Sequence, residues 1–555
     1  MYDSNDAASF QMTERPSLSK MLVANGLVAQ VAIDYARQKQ AIEGKKLGNL
    51  LVELGFISAK DLARQLGIQR GIEFREVPAI DAEVAAAFNR NLCLGQNFLP
   101  IGREDGKLRV LLGDAAPEEV AVLVQRRTGQ EAVFWQGDFF AVIDAVHQHY
   151  YFHENPVEKL IEGEIRRLSA DRDHAFSPER LMELVLHTAV RERATDVHIA
   201  PTAKSRTVLM RVDGVLQPMF AMPPSLDRLS AFIKLTADMD ASEQRLPQDG
   251  SFAINLMGAS YTIRVSTMIS EYGERVALRL LAERSDLDRL QDLGFLHNDV
   301  LEMERAFSRP HGLILITGPT GSGKSTTLHA ALRVQNVVER NVLTVEDPIE
   351  YRVPVACQTQ VNRRAGYDFA SAMRHFLRHD PDIILVGEIR DAETARAALD
   401  AASTGHLVLS TLHVGGIFGT VPRLRLLGVD VETVAENLIG VINQRLVRKI
   451  CPHCKTSRAL TPEETAWLGA GTTEVFHGAG CKHCRGTGYR GRLPVYEMMT
   501  ITRQLADAIV ADVPRAKLRE LAVDGGLKPM SEFAKYRVRA GETTMAEVQR
   551  AVGLE

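Results

Sequence analysis

GPTGSGKSTT, residues 318–327, sets Gly318, Gly323, Lys324 and Ser325 on the pattern G-x-x-x-x-G-K-[ST]. Glycines at these places let backbone N–H groups close around phosphate oxygens, while the lysine reaches the β and γ phosphates of a nucleotide and the hydroxyl takes Mg²⁺. Gly318, Pro319, Thr320, Gly321, Ser322, Gly323, Lys324, Ser325 and Thr326 are therefore the candidate nucleotide contacts. Three downstream stretches supply polar groups. NVLTVEDPIEY (341–351) ends in Glu346, Asp347 and Glu350, DIILVGEIRD (382–391) carries Glu388 directly after Gly387, and HLVLSTLH (406–413) has a histidine at each end. Mg²⁺ prefers a few carboxylates and retained waters, which assigns Glu388 to its shell together with Ser325. Glu350 is assigned as the base that orients or deprotonates an attacking water, with Glu346 and Asp347 in reserve. A lone histidine at a strand end is more often a packing residue; His406 and His413, taken to share one sheet edge, are assigned to the γ-phosphate.

The elements that must position these groups follow from the flanking patterns. GLILIT (312–317) is an apolar run of strand length before the loop, and STTLHAALR (325–333) is rich in helix formers after it. The loop thus opens a helix at its N-terminus, the arrangement that favours an anion. Pro348 keeps the second strand from continuing past its carboxylates. YDFASAMRHFLRH and AETARAALDAAST are helical stretches between apolar strands. A parallel α/β sheet with its strand ends lining one crevice is the predicted core.

GPTGSGKSTT, TVEDPIEY, RHDPDIILVGEIRDAETA and TGHLVLSTLH, in this order, resemble the motifs of the secretion ATPases of type II secretion systems and type IV pilus machines. The resemblance runs from about residue 180 to the C-terminus. It implies a RecA-like P-loop ATPase core, ATP with Mg²⁺, and a homo-hexameric ring whose turnover displaces an inner-membrane platform protein. It places the P-loop lysine on Lys324, the Asp-box glutamate on Glu350, the Walker B glutamate on Glu388 and the histidine pair on His406 and His413. The family continues the last motif as T-L-H-T-N or similar, where this chain has TLHVGGIFGT (411–420).

At 555 residues the chain is long enough for three to five domains. Its 66 basic and 70 acidic residues give a net charge of -4, without the bulk attraction expected of a nucleic-acid translocase. The stretch MYDSNDAASFQMTERP has neither a basic start nor an apolar core, and no run approaches the ~20 apolar residues of a membrane helix. A cytoplasmic protein that meets the inner membrane only through partners is the expectation. Four of the six cysteines form CPHC (451–454) and CKHC (481–484), with 26 residues between the pairs. Cys451, Cys454, Cys481 and Cys484 can close a tetrahedral, structural Zn²⁺ shell, the alternative being four reduced thiols. The resembling family carries this insertion in secretion and assembly members and typically lacks it in retraction members, which favours assembly.

SLSKMLVANGLVAQVAIDYARQKQ (17–40) and residues 46–69 align at an offset of 29 residues, Gly26 with Gly55 and Gln40 with Gln69. Each unit reads as a short helix stopped at its glycine, then a second amphipathic helix. Such tandem units resemble the N-terminal domain that binds cyclic di-GMP in some pilus and secretion ATPases. The second unit matches with Lys46, Leu47, Gly48 and Gln69, whereas the first has Ser17, Leu18 and Ser19, so a docking domain without ligand is the competing reading. Residues 71–150 continue as a small α/β piece with KLRVLLGD (107–114) as a strand, and 158–180 is a helical or flexible linker. ATDVHIAP, RTVLMRVDGVL, GSFAINLMG and YTIRVSTM alternate like strands of a small α+β, PAS-like domain. Its arginines read singly as solvated strand faces; the resemblance offers them to the nucleotide and nominates Arg264 and Arg279.

The expected organisation is a docking or regulatory domain at 1–150, a linker at 151–178, the arginine-bearing domain at 179–292 and the ATPase core at 293–450. A zinc segment follows at 451–492, then a helical bundle at 493–555. The leading function is a hexameric motor for pseudopilus assembly in type II secretion, beside a type IV pilus extension ATPase. From other classes stand a slow nucleotide-gated cyclic-di-GMP sensor and a nucleic-acid-stimulated ATPase, the last without the basic aromatic track it needs.

Overall fold

The structure is a computed structural model that describes residues 17–170, 177–224, 227–282, 289–335 and 338–553. The stretch 1–16, part of the expected linker (171–176) and the join before the core (283–288) lie outside the described residues. The chain divides into two compact units, residues 1–156 and 157–555.

In the first unit the repeat is literal. Helices α1 (Leu18–Ala24) and α2 (Gln30–Glu43) recur as α3 (Leu47–Glu53) and α4 (Ala59–Arg70), so both short helices and both second-helix starts keep the 29-residue offset. The short helices stop at Gly26 and Gly55, whose φ of 66° and 74° is left-handed backbone that glycine adopts without a Cβ clash. A three-stranded sheet follows. Strand β1 (Phe98–Glu104) runs antiparallel to β2 (Lys107–Leu112), and β2 runs parallel to β3 (Ala132–Gln136).

The second unit opens with helices α5 (Val157–Ala170) and α6 (Pro178–Arg191), so Val157–Ala170 of the expected linker is helical. Six antiparallel strands form the small domain: β4 (Ala194–Pro201), β5 (Arg206–Val212), β6 (Val215–Met222), β7 (Gln248–Leu256), β8 (Ala259–Ser270) and β9 (Gly273–Ala282). On β8, Tyr261, Ile263, Val265 and Thr267 are buried while Arg264 points the other way, the period of two of a half-buried sheet.

The core sheet takes β10 (Gly312–Thr317), β11 (Val342–Glu346), β12 (Cys357–Gln360), β13 (Ile383–Ile389), β14 (Leu407–Leu412) and β15 (Leu438–Ile450). The cysteine segment adds the hairpin β16 (Lys455–Ala459) and β17 (Glu474–Gly478), and β18 (Tyr489–Thr500) returns to the main sheet. The order is β12-β11-β13-β14-β10-β15-β18, parallel except for β18. Ile314 and Ile316 feed the core on one face and Leu313 and Leu315 the core on the other. Burial on both faces is why β10 reads as an unbroken apolar run.

One expectation is corrected. Residues 493–500, assigned to a C-terminal bundle, belong to β18, which starts in the expected zinc segment at Tyr489 and pairs with β15 from Gly440↔Thr500 to Arg448↔Arg492. The thirteen-residue β15 offers an edge that β18 covers, and Leu493 to Tyr496 are consecutively buried, which erases the alternation that marks a strand. The terminal helices are Arg503–Val510, Arg515–Asp524, Met530–Arg539 and Met545–Ala551.

Candidate active site

Lys324 begins a helix, α7 (Lys324–Val334), at the C-terminal end of β10. At Gly318, where φ is 143°, a Cβ would lie 2.5 Å from the Gln444 carbonyl and 2.6 Å from Ser322 Oγ. The loop therefore closes onto β15. Lys324 Nζ is buried and donates to the carbonyls of Gly318 (3.1 Å) and Pro319 (3.0 Å). Burial lowers its pKa, and the Glu388 and Glu350 carboxylates oppose that shift. Ser322 Oγ is buried without a partner at the base of the loop. A lysine turned into the loop, an unsatisfied hydroxyl and a helix N-terminus make a cradle that fits a nucleotide's phosphates, with the Ser325 hydroxyl on the first turn as the group that could hold Mg²⁺.

Glu388 lies on β13 facing this loop with its side chain 12% exposed. Its Oε1 is 2.7 Å from Arg390 Nη2 and its Oε2 is 3.2 Å from His413 Nε2. Glu346 is engaged on both oxygens, accepting from Thr344 and Gln358 at 2.9 Å on one and lying 3.1 Å from His329 Nε2 on the other. Asp347 pairs with Arg363 at 3.2 Å. Glu350 is exposed and lines a cavity of about 490 Å³ whose far wall includes Arg264, Thr262 and Ser251 of the small domain. Arg264 has its pKa lowered by burial, against the pull of Asp347 and Glu350. Arg279 stands directly opposite Arg264 across β8 and β9, and its Nε donates to Asp196 Oδ1 at 2.9 Å.

The two histidines part. Register places Gly312 beside Leu407 and Thr317 beside Leu412, so His413 follows the strand at the loop end and His406 precedes it at the other. At ~3.3 Å per residue the two are about 23 Å apart along β14. The assumption that they share one edge is corrected, because a strand's two ends lie on opposite edges of a parallel sheet. His406 Nδ1 sits 2.9 Å from the Ala401 carbonyl and 3.2 Å from Thr404 Oγ1, a local turn.

Sequence reasoning passed over β15. Gln444 Nε2 donates to the Ser322 carbonyl at 2.7 Å and its Oε1 accepts from Thr327 at 3.0 Å. Arg445 donates to the Gly415 carbonyl at 2.7 Å, in the segment that departs from the family's usual T-L-H-T-N. Asn443 bridges Thr317 and Glu497. The only sequence signal was a run of polar residues inside an otherwise apolar strand.

The four cysteines converge, with all Sγ atoms within 4.8 Å of one another and three separations of 3.7–3.9 Å. A tetrahedron with metal–sulfur bonds of ~2.3 Å has edges of about 3.8 Å, so the cluster fits Zn²⁺. Burial pushes the Cys484 thiol up, yet backbone N–H groups of Cys481 and Gly488 bring it down to about 6.

In the first unit, Lys46 Nζ pairs with Asp114 at 2.7 Å and stays 68% exposed. Gly48 has a packing reason for being glycine, since a Cβ there would meet Leu62 at 3.1 Å. Its counterpart Ser19 is 8% exposed and accepts from Arg37 at 3.1 Å. Leu47 and Gln69 are half-buried on α3 and α4.

A sequence profile described as Type II/IV secretion system protein matches residues 171–550. The chain belongs to this family. Among its relatives is the type IV pilus assembly ATPase PilB of Thermus thermophilus, 34% identical over 530 residues, covering 92% of this chain; the chain spans 59% of that protein's length. PilB of Myxococcus xanthus is 32% identical over 96% of this chain and 98% of its own. The type II secretion system protein E of Dickeya dadantii is 42% identical over 67% of this chain and 75% of its own. In fold the chain is similar to the Legionella pneumophila ATPase DotB, with a TM-score of 0.51 at 23% identity over 69% of this chain and 97% of that one. This secretion-family chain is a P-loop ATPase with a RecA-like core. Among its described residues no helix is long and apolar enough to cross a membrane.

Proposed function

We propose that the chain is a hexameric motor ATPase that drives assembly of a pseudopilus for type II secretion by displacing an inner-membrane platform protein. The carrying observation is the seam between domains, where Glu350 of the core and Arg264 of the small domain line one cavity, and Tyr351, next to Glu350, meets Thr326 of the phosphate loop at 3.1 Å. Residues 318–326 grip the phosphates and Glu350 orients the attacking water. Mg²⁺, held by Ser325 and Glu388, would offset phosphate charge. His413 and Arg390 fix the Glu388 carboxylate, and Arg264 carries charge balance at the nucleotide to a second domain, so turnover and domain displacement share one site. The 42% identity to the Dickeya secretion protein supports the pseudopilus; the end-to-end match to the Myxococcus protein supports a type IV pilus instead.

ATP turnover against protein concentration, with particle size measured in parallel, tests the motor. Specific activity rising as hexamers form supports it, and monomers that turn over equally well contradict it. Deleting the gene and scoring secreted protein against surface fibres separates the two assemblies. We also propose cyclic di-GMP as a ligand of Lys46, Leu47, Gly48 and Gln69, supported by the exposed Lys46 ammonium; calorimetric titration of the intact and Lys46→Ala proteins tests it.

A further inference from the structure

We infer that His329 is a positioning residue that ties the first turn of the phosphate-loop helix to strand β11 and thereby fixes the loop carrying Glu350. This rests on the reading of Glu350 as the group that orients water.

His329 Nδ1 lies 2.7 Å from the Ser325 carbonyl, one helical turn back, and Nε2 lies 3.1 Å from Glu346 Oε2, an ion-pair contact rather than an aligned hydrogen bond. The two side chains are 2% and 5% exposed, so neither has water as an alternative partner. A second tie runs alongside, with Thr326 Oγ1 3.1 Å from the Tyr351 hydroxyl and the His329 and Tyr351 rings 5.1 Å apart. Gln358 completes the frame, donating to Glu346 Oε1 (2.9 Å) and the Tyr351 carbonyl (2.8 Å) and accepting from Val353 N–H (2.7 Å).

Segment 346–353 is thus held at Glu346, Tyr351 and Val353, and Glu350 stands between the first two holds. The Glu350 carboxylate is exposed and makes no hydrogen bond among the described residues, so its backbone alone fixes the point from which it reaches. That backbone is set by the frame, and His329 joins the frame to the helix that begins with Lys324 and Ser325. A misplacement of about 1 Å in such a group costs on the order of 100-fold in rate.

Side-chain isosteres separate this role from mere packing. Glutamine at 329 puts an N–H donor where Nε2 stands, and asparagine puts one where Nδ1 stands, so only glutamine can keep Glu346. Full-length His329→Gln, His329→Asn, Glu350→Gln and the double variant His329→Asn/Glu350→Gln are compared. The readouts are steady-state ATP turnover, equilibrium binding of a fluorescent ADP analogue, thermal midpoint and amide hydrogen exchange. His329→Asn is expected to lower kcat roughly 10- to 100-fold with nucleotide affinity kept within about 3-fold and exchange in 346–353 raised, while His329→Gln stays within about 3-fold of the parent. In the double variant the two losses are not multiplicative. Tyr351→Phe, a milder change to the same frame, is expected to lower kcat by roughly 3- to 10-fold.

Equal losses in His329→Asn and His329→Gln that follow the thermal midpoint, or unchanged exchange in 346–353, overturn the tether. An active Glu350→Gln overturns the reading of Glu350 instead, and exchange then still reports on the tether by itself.

Discussion

The two ends of β14 carry the same residue type and do different things. At its C-terminal end His413 meets Glu388 at 3.2 Å beside the phosphate loop, whereas at its N-terminal end His406 closes a turn onto Ala401. The candidate groups of the core gather on the first edge: the loop after β10, Glu346 at the end of β11 and Glu350 beyond it, Glu388 on β13, and the Gln444 and Arg445 props on β15. Strand direction sorts these groups, since parallel strands deliver all their C-terminal ends to one side.

The largest effect that sharpens this contrast is expected from Lys324→Ala. Removing the only ammonium inside the loop should cut ATP turnover roughly 1,000-fold with little change in thermal midpoint, checked by phosphate release and calorimetry. Glu388→Gln should keep nucleotide binding and lose about 100-fold in turnover, read by the same assay with a binding titration. Away from the edge, Cys451→Ser should leave less than one zinc per chain by metal analysis and lower the thermal midpoint, because a three-thiolate shell no longer closes the site.

Smaller still is an effect on stability alone. Glu547 is buried, which pushes its carboxyl up, but hydrogen bonds from Arg550 and Arg448 hold it below the usual 4.5. A depressed carboxyl contributes stability that is complete above about pH 4.5 and is lost as pH falls through the lower folded value. Glu547→Ala should cost about 2 kcal/mol at neutral pH, where the half-buried Arg448 loses its carboxylate partner, and the difference from the parent should shrink in acid. Denaturant titrations at pH 7 and at pH 4 check both parts.

Much of this was legible in the residues. GLILIT, the loop and STTLHAALR announced strand, loop and helix because both-face burial, glycine chemistry and helix propensity each leave a local mark. The repeat was legible to the residue, since Gly26 and Gly55 need left-handed backbone at the same point of each unit. What escaped depends on which segments lie side by side. His406 was misplaced because its edge is fixed by pairing of β14 with β10. The Gln444 and Arg445 props come from a strand more than 100 residues beyond the loop, and β18 hid in a stretch buried on both faces. His329 sat in plain view as a helix residue, its partner Glu346 visible only once β11 lay against α7.

The most direct measurement is ATP turnover by His413→Asn beside His406→Asn in the full-length protein. A loss of about 10-fold or more in the first, with the second within about 2-fold of the parent, is the predicted result. Equal losses, or a larger one in His406→Asn, would contradict the assignment of the chemistry to a single edge of the sheet.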